Sequence, residues 1–203
     1  MSWRNYYECE NGHYSYKDKG VITLPDDLPM PPTDTFHCMF SNCSYLQDIT
    51  ALAKWDVSNV KDMQQMFAVC NRLQNITALA NWNVSNVENM RGMFSFCAQL
   101  KDITALANWN IANVKDMQWL FSQCCLLRDT FALVNWDVSS VENMYGMFTD
   151  CSQLQDITAL FDWNVSNVKD MRYMFYNCHE LQITTNKTKG IKTYLRTLRK
   201  RSC

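Results

Sequence analysis

Glycine and proline are scarce in this 203-residue chain and long apolar runs are missing, and each shortage removes a class of function. Its five glycines are scattered, so no glycine-rich loop can cradle a phosphate. All four prolines fall in "LPDDLPMPP", between positions 25 and 32, where they suit a rigid connector. No apolar run nears the length of about 18 residues that a membrane-crossing helix needs. The opening "MSWRNYYECENGHYSYKDKG" lacks the basic-then-apolar order of a signal peptide, which gives the expectation of an intracellular protein. Ten cysteines are present, yet no C-x-x-C pair has partner ligands: Cys124 and Cys125 are merely adjacent, and His13, His37 and His179 stand apart. No metal centre and no cofactor are expected from that pattern. No nucleophile lies in a recognisable motif, and no paired carboxylates fall outside repeated surface positions. The expectation is a chain without enzymatic activity or a small-molecule substrate.

Charge is divided unevenly along the chain. All twenty acidic residues lie at or before Glu180, against twelve Lys and Arg before position 187, so the body is net −8. The remaining seven basic residues crowd into 187–203. "GIKTYLRTLRKRSC" places Ile191, Tyr194, Leu195 and Leu198 on one helical face, with Lys192, Arg196, Arg199, Lys200 and Arg201 around it. A capping helix with a solvated basic face is the plainer reading; contact with nucleic acid or anionic membrane is the sharper one.

What the chain has in abundance is itself. "WNVSNVENMRGMFSFC" at Trp82 to Cys97 returns with small changes every 27 residues. Trp55, Trp82, Trp109, Trp136 and Trp163 form one column; Cys43, Cys70, Cys97, Cys124, Cys151 and Cys178 a second; Phe40, Phe67, Phe94, Phe121, Phe148 and Phe175 a third. In one unit Val60, Met63, Met66, Phe67 and Cys70 share a helical spacing, which predicts a three-turn helix. Ser58, Ser85, Ser139 and Ser166 stand where N-caps would, and Ala112 breaks the series, predicting a weaker helix start there by about 1 kcal/mol. "LQNITALAN" suits a short strand and a turn. One unit cannot bury its own apolar stripe, so units must stack like over like in a solenoid. The predicted fold class is α/β: a curved solenoid with one strand and one helix per rung, strands on the concave side, capped at both ends.

"LQNITALAN" fits the pattern LxxLxLxxN at Leu73, Ile76, Ala78 and Asn81. Together with "WNVSNVENMRGMFSFC" followed by "AQL", it resembles the BspA-like leucine-rich-repeat surface-protein family, found also in lipoproteins of wall-less bacteria. The resemblance covers roughly 33–181 and implies a surface protein that works in adhesion. Three regions are expected: a cap over 1–32, with a hairpin turning at Asn11 and Gly12 and then the proline-rich connector; the repeat solenoid over 33–181; and a basic capping helix over 182–203.

The columns divide into core and candidate surface. The Trp and Met columns read as core pillars, and the cysteines as reduced, buried thiols behaving as small apolar groups. Trp119 falls where other units have Gln65, Gly92, Gly146 and Tyr173, which places it near the surface in a contact patch. Position 61 alternates as Lys61, Glu88, Lys115, Glu142, Lys169, giving an effective unit of 54 residues. The candidate partner face is Thr50, Leu52, Thr77, Leu79, Thr104, Leu106, Phe131, Leu133, Thr158 and Leu160. In the leucine-rich-repeat register these side chains point outward; in a register shifted by one, the leucines enter the core and the alanines face out. The expected function is a scaffold that recognises a protein through its concave face. A cell-surface adhesin or virion component is the alternative, and binding through the basic tail a third.

Overall fold

The computed structural model describes residues 2–181 and shows a solenoid in which successive 27-residue rungs lie directly on one another. Rings of Phe40, Phe67, Phe94, Phe121, Phe148 and Phe175 stack nearly parallel through the centre, with centroids 5.6 to 5.8 Å apart. That spacing decides what a rung can be. Packed α-helices need about 8 to 10 Å between axes, so a three-turn helix per rung does not fit a stack this tight. Among the described residues the repeats hold no α-helix, which corrects the predicted strand-plus-helix unit.

The stretch with helical spacing is a run of tight turns. Between Met63 and Cys70, the N–H groups of Met66, Ala68 and Cys70 close onto carbonyls three residues back, at 3.2, 3.1 and 3.1 Å. Those of Met63, Gln65, Phe67 and Val69 instead donate to Asn89, Arg91, Met93 and Ser95 of the next rung, at 2.9, 2.8, 2.9 and 2.8 Å. Local and cross-rung bonds thus alternate residue by residue, and every one of these donors is satisfied. The alternation requires left-handed backbone at two places per rung, Gln65 (φ 53) and Val69 (φ 63) in this one. The same two places recur at Gly92 and Phe96, Trp119 and Gln123, Gly146 and Asp150, and Tyr173 and Asn177.

Strand pairing is one residue wide. Thr35, Asp62, Asn89, Asp116, Asn143 and Asp170 form consecutive parallel bridges. The segment read as a strand carries a 3₁₀ turn instead, at Thr50–Lys54, Thr77–Leu79, Thr104–Leu106, Phe131–Leu133 and Thr158–Leu160. The serine caps are corrected as well. At each such place the preceding Asp or Asn side chain accepts the serine's own N–H, as Asp56 does from Ser58 at 3.0 Å and Asn83 from Ser85 at 3.2 Å. Asn110 accepts from Ala112 equally, at 3.2 Å, so the missing serine weakens nothing.

Two side-chain columns tie rung to rung. Each tryptophan is 4 to 7% exposed and donates its indole N–H to a leucine carbonyl of the preceding rung, Trp82 to Leu52 and Trp109 to Leu79 at 2.9 Å. Each thiol from Cys70 to Cys178 donates to a phenylalanine carbonyl 30 residues back, at 3.1 to 3.3 Å. On the outside, Lys115 pairs with Glu88 at 2.7 Å and Lys169 with Glu142, so the alternating column forms ion pairs across every second interface.

At the first end, β1 (Tyr7–Glu10) and β2 (His13–Tyr16) form an antiparallel hairpin over the stack. Tyr7 and Tyr16 lie against Phe40, and the Tyr16 N–H bonds to the Met39 carbonyl at 2.7 Å. The capping helix expected over 182–203 lies outside the described residues.

Candidate interaction surface

The shifted register holds for the leucines. Leu52, Leu79, Leu106, Leu133 and Leu160 are all 0% exposed, members of the core and not of a partner face. The physical reason is the 3₁₀ turn, whose three-residue period carries the inward set Leu73, Ile76, Leu79 past the threonine and alanine between them. Thr50, Thr77, Thr104 and Thr158 stay exposed, as does Phe131, so the candidate face divides along its two columns. The alanines do not simply take the leucines' place: Ala51, Ala105 and Ala159 are buried while Ala78 and Ala132 are half-buried. Phe131 and Val134 form a small apolar spot there, 57% and 56% exposed. Lys192, Arg196, Arg199, Lys200 and Arg201 lie outside the described residues.

A different surface carries the more pronounced chemistry. Along the ladder of turns, Arg91, Trp119, Tyr145, Arg172, Tyr173 and Tyr176 form one continuous row across four rungs. The Arg91 guanidinium carbon sits 5.1 Å from the Trp119 ring centroid, and that of Arg172 sits 5.6 Å from Tyr145. Trp119 meets Tyr145 edge to face at 5.8 Å, Tyr145 meets Tyr173 at 5.4 Å, and Tyr173 meets Tyr176 at 5.7 Å. Tyr173 and Tyr176 are 52% and 55% exposed.

Backbone geometry makes room for the row. Gly146 sits at φ +60 beneath Trp119, and a Cβ there would lie 2.5 Å from the indole Cδ1. The indole therefore lies flat over a residue with no side chain. Arg172 grips Asp170 through Nε at 3.0 Å and Nη2 at 2.7 Å, and that hydrogen-bonded guanidinium holds the Asp170 carboxyl below its usual range. Arg91 differs, because its Nε is buried from solvent and finds no acceptor.

Trp119 was visible in the sequence as an exception to its column. The 27-residue period also sets Arg91, Tyr145 and Arg172 in one column and Tyr173 in that of Trp119, but only the turn geometry brings the two columns into ring and guanidinium contact across the rungs. Two residues that stand apart in sequence also meet: the His13 and His37 rings are 5.0 Å apart, with His37 Nδ1 3.7 Å from Asp62. Among the described residues, no group of three or more His, Cys, Asp or Glu could hold a metal ion, and no helix is long and apolar enough to cross a membrane.

Solved structures similar to the chain include leucine-rich-repeat proteins from three bacteria. A leucine-rich cell surface protein of Faecalibacterium prausnitzii is 19% identical, over 75% of this chain and 42% of that one, with a TM-score of 0.44. A leucine-rich-repeat protein of T. pallidum is 16% identical over 96% and 91%, with a TM-score of 0.40. One from Eubacterium ventriosum is 19% identical over 92% and 53%, at 0.41. The chain thus spans about half the length of the first and the last of these. No curated protein sequence matches it. Residues 34–131 and 99–196 each match the family described as "Mycoplasma protein of unknown function, DUF285", the two matches together running through most of the 203 residues. By those matches, and by the repeat that produces them, the chain belongs to that BspA-like family.

Proposed function

We propose that this protein is a non-enzymatic recognition module that binds a protein partner through the arginine–aromatic row. The observation that carries the reading is the composition of that row. Trp, Tyr and Arg dominate the binding energy of protein interfaces, because they combine large rigid contact area with directed donors. Here six such residues are contiguous on a rung surface where the same columns elsewhere hold Gln64, Gln65, Gly92 and Ser95. Kinship with BspA-like surface proteins supports an adhesin at a cell surface as the setting. The Phe131 and Val134 spot supports a second, smaller contact on the threonine side.

The test compares the wild type with Trp119→Ala and Tyr173→Ala against proteins extracted from candidate host surfaces, with Thr77→Lys as a control on the opposite column. A captured protein lost by at least about tenfold in both aromatic variants, and kept by the control at unchanged thermal stability, supports the row. Equal capture by all four proteins overturns it.

A further inference from the structure

Apart from the aromatic row, a cleft of about 630 Å³ opens where the chain leaves the cysteine turns of the first rungs. Its walls are unusual for so acidic a body. Gln47, Asn71, Gln74 and Gln99 contribute four carboxamides, Arg72 one guanidinium and Phe96 one ring; no carboxylate and no lysine lines it. None of those four carboxamides is hydrogen-bonded to another group among the described residues. A fifth, Gln123, is fixed through Nε2 to Asp150 at 3.2 Å. Arg72 is held in place over the Tyr45 ring, at 4.9 Å.

Phe96 is the anomaly in this wall. It occupies the left-handed position of its rung (φ 61), where the other rungs place Asn42, Val69, Gln123, Asp150 and Asn177. Asn and Asp tolerate that conformation; a bulky aromatic does so at a cost. Burial does not offset the cost, since Phe96 remains 45% exposed. Four of the other five residues at this position are polar, and Phe96 alone places a flat aromatic ring there, partly open to solvent.

We infer that this cleft is a binding site for a neutral saccharide chain. A carboxamide offers a donor and an acceptor side by side, which matches two adjacent hydroxyls. An exposed ring offers a face to the C–H side of a pyranose. No lysine or carboxylate lines the cleft and its one charge, the Arg72 guanidinium, is already stacked on Tyr45, which leaves a hydroxyl-rich, uncharged ligand as the fitting chemistry. Carboxamides also pair with peptide backbone, but the only other apolar lining is Ala98, so an extended peptide would find no pockets for its side chains.

Ligand-observed saturation-transfer NMR on the full chain tests the site with cellohexaose, chitohexaose and mannohexaose, beside a heparin-derived hexasaccharide and an uncharged Ser/Thr/Gly hexapeptide. The expected result is a signal from at least one neutral hexasaccharide. Phe96→Asn, which suits the backbone of this column, and Gln99→Ala should each weaken its Kd by roughly fivefold or more, with the melting temperature held and Trp119→Ala without effect. Silence from all three neutral sugars overturns the proposal. So does binding indifferent to Phe96→Asn and Gln99→Ala, or a signal from the peptide or the anionic sugar alone.

Discussion

The indole N–H of each column tryptophan bridges two rungs inside the core, and this is why the column is Trp and not Phe. Trp109 donates to the Leu79 carbonyl while 4% exposed. Substituting Phe keeps most of the packing but removes that hydrogen bond and leaves the carbonyl with the Trp82 N–H alone, at a cost of about 0.5 to 1.5 kcal/mol. Urea denaturation should therefore place Trp109→Phe below the wild type by that amount, and Trp109→Ala lower, by about 3 to 5 kcal/mol in total. The column's role as pillar was legible in the sequence from its strict period. Its hydrogen bond was not, because the acceptor lies 30 residues back and is brought near only by the rung geometry.

At the level of the element, the misread helix is instructive. Val60, Met63 and Met66 repeat every three residues, and so do Cys70, Leu73, Ile76, Leu79 and Trp82 further round the same rung. An α-helix has a period of 3.6 and drifts off such a pattern. A sustained period of three, broken only at Phe67, is the signature of consecutive turns, and it was present in the sequence. The Asp and Asn columns confirm it from a second side, since their carboxylates and carboxamides close turns at Asp48, Asp56 and Asp62 and at their counterparts. Hydrogen bonds from Thr50 and Ser139 hold the Asp48 and Asp137 carboxyls below their usual range. A lowered folded value means that the stabilisation is present above the unfolded value of about 4 and is lost as pH falls through the lower folded one. Asn serves the same turn at Asn75 without titrating. The double variant Asp48→Asn, Asp137→Asn should melt with the wild type at pH 7 and lose less of its melting temperature between pH 4 and pH 2. A parallel acid limb in the two proteins would contradict this role.

Across the whole molecule, the cysteine column runs the length of the stack as protonated donors. Burial pushes the Cys43 thiol up to about 11 and that of Cys178 up to about 12, and drives Cys70, Cys97, Cys124 and Cys151 well above their ordinary value. An acid whose folded value is raised stabilises fully below its unfolded value, near 9, and loses that contribution as pH climbs towards the folded one. Stability measured in urea should hold between pH 6 and 8 and fall steeply above about 9, and Cys97→Ala should remove about 1.4 kcal/mol per pH unit from that slope. Thiol labelling at pH 8 gives an independent measure: the exposed Cys9 should react at once, and the buried Cys43, Cys70, Cys97, Cys124 and Cys151 only after denaturant.

The side chain that Gly146 lacks, in the place where the Trp119 ring lies, bears on how this protein can lengthen. From Gln65 onward large and absent side chains alternate down that file as Gln65, Gly92, Trp119, Gly146 and Tyr173, with Gln65 seated on Gly92 and Trp119 on Gly146. Splicing in a single 27-residue copy would set two bulky groups, or two vacancies, face to face. Gene duplication that respects the file proceeds two storeys at a time, and the ion pairs between Glu88 and Lys115 and between Glu142 and Lys169 obey the same step.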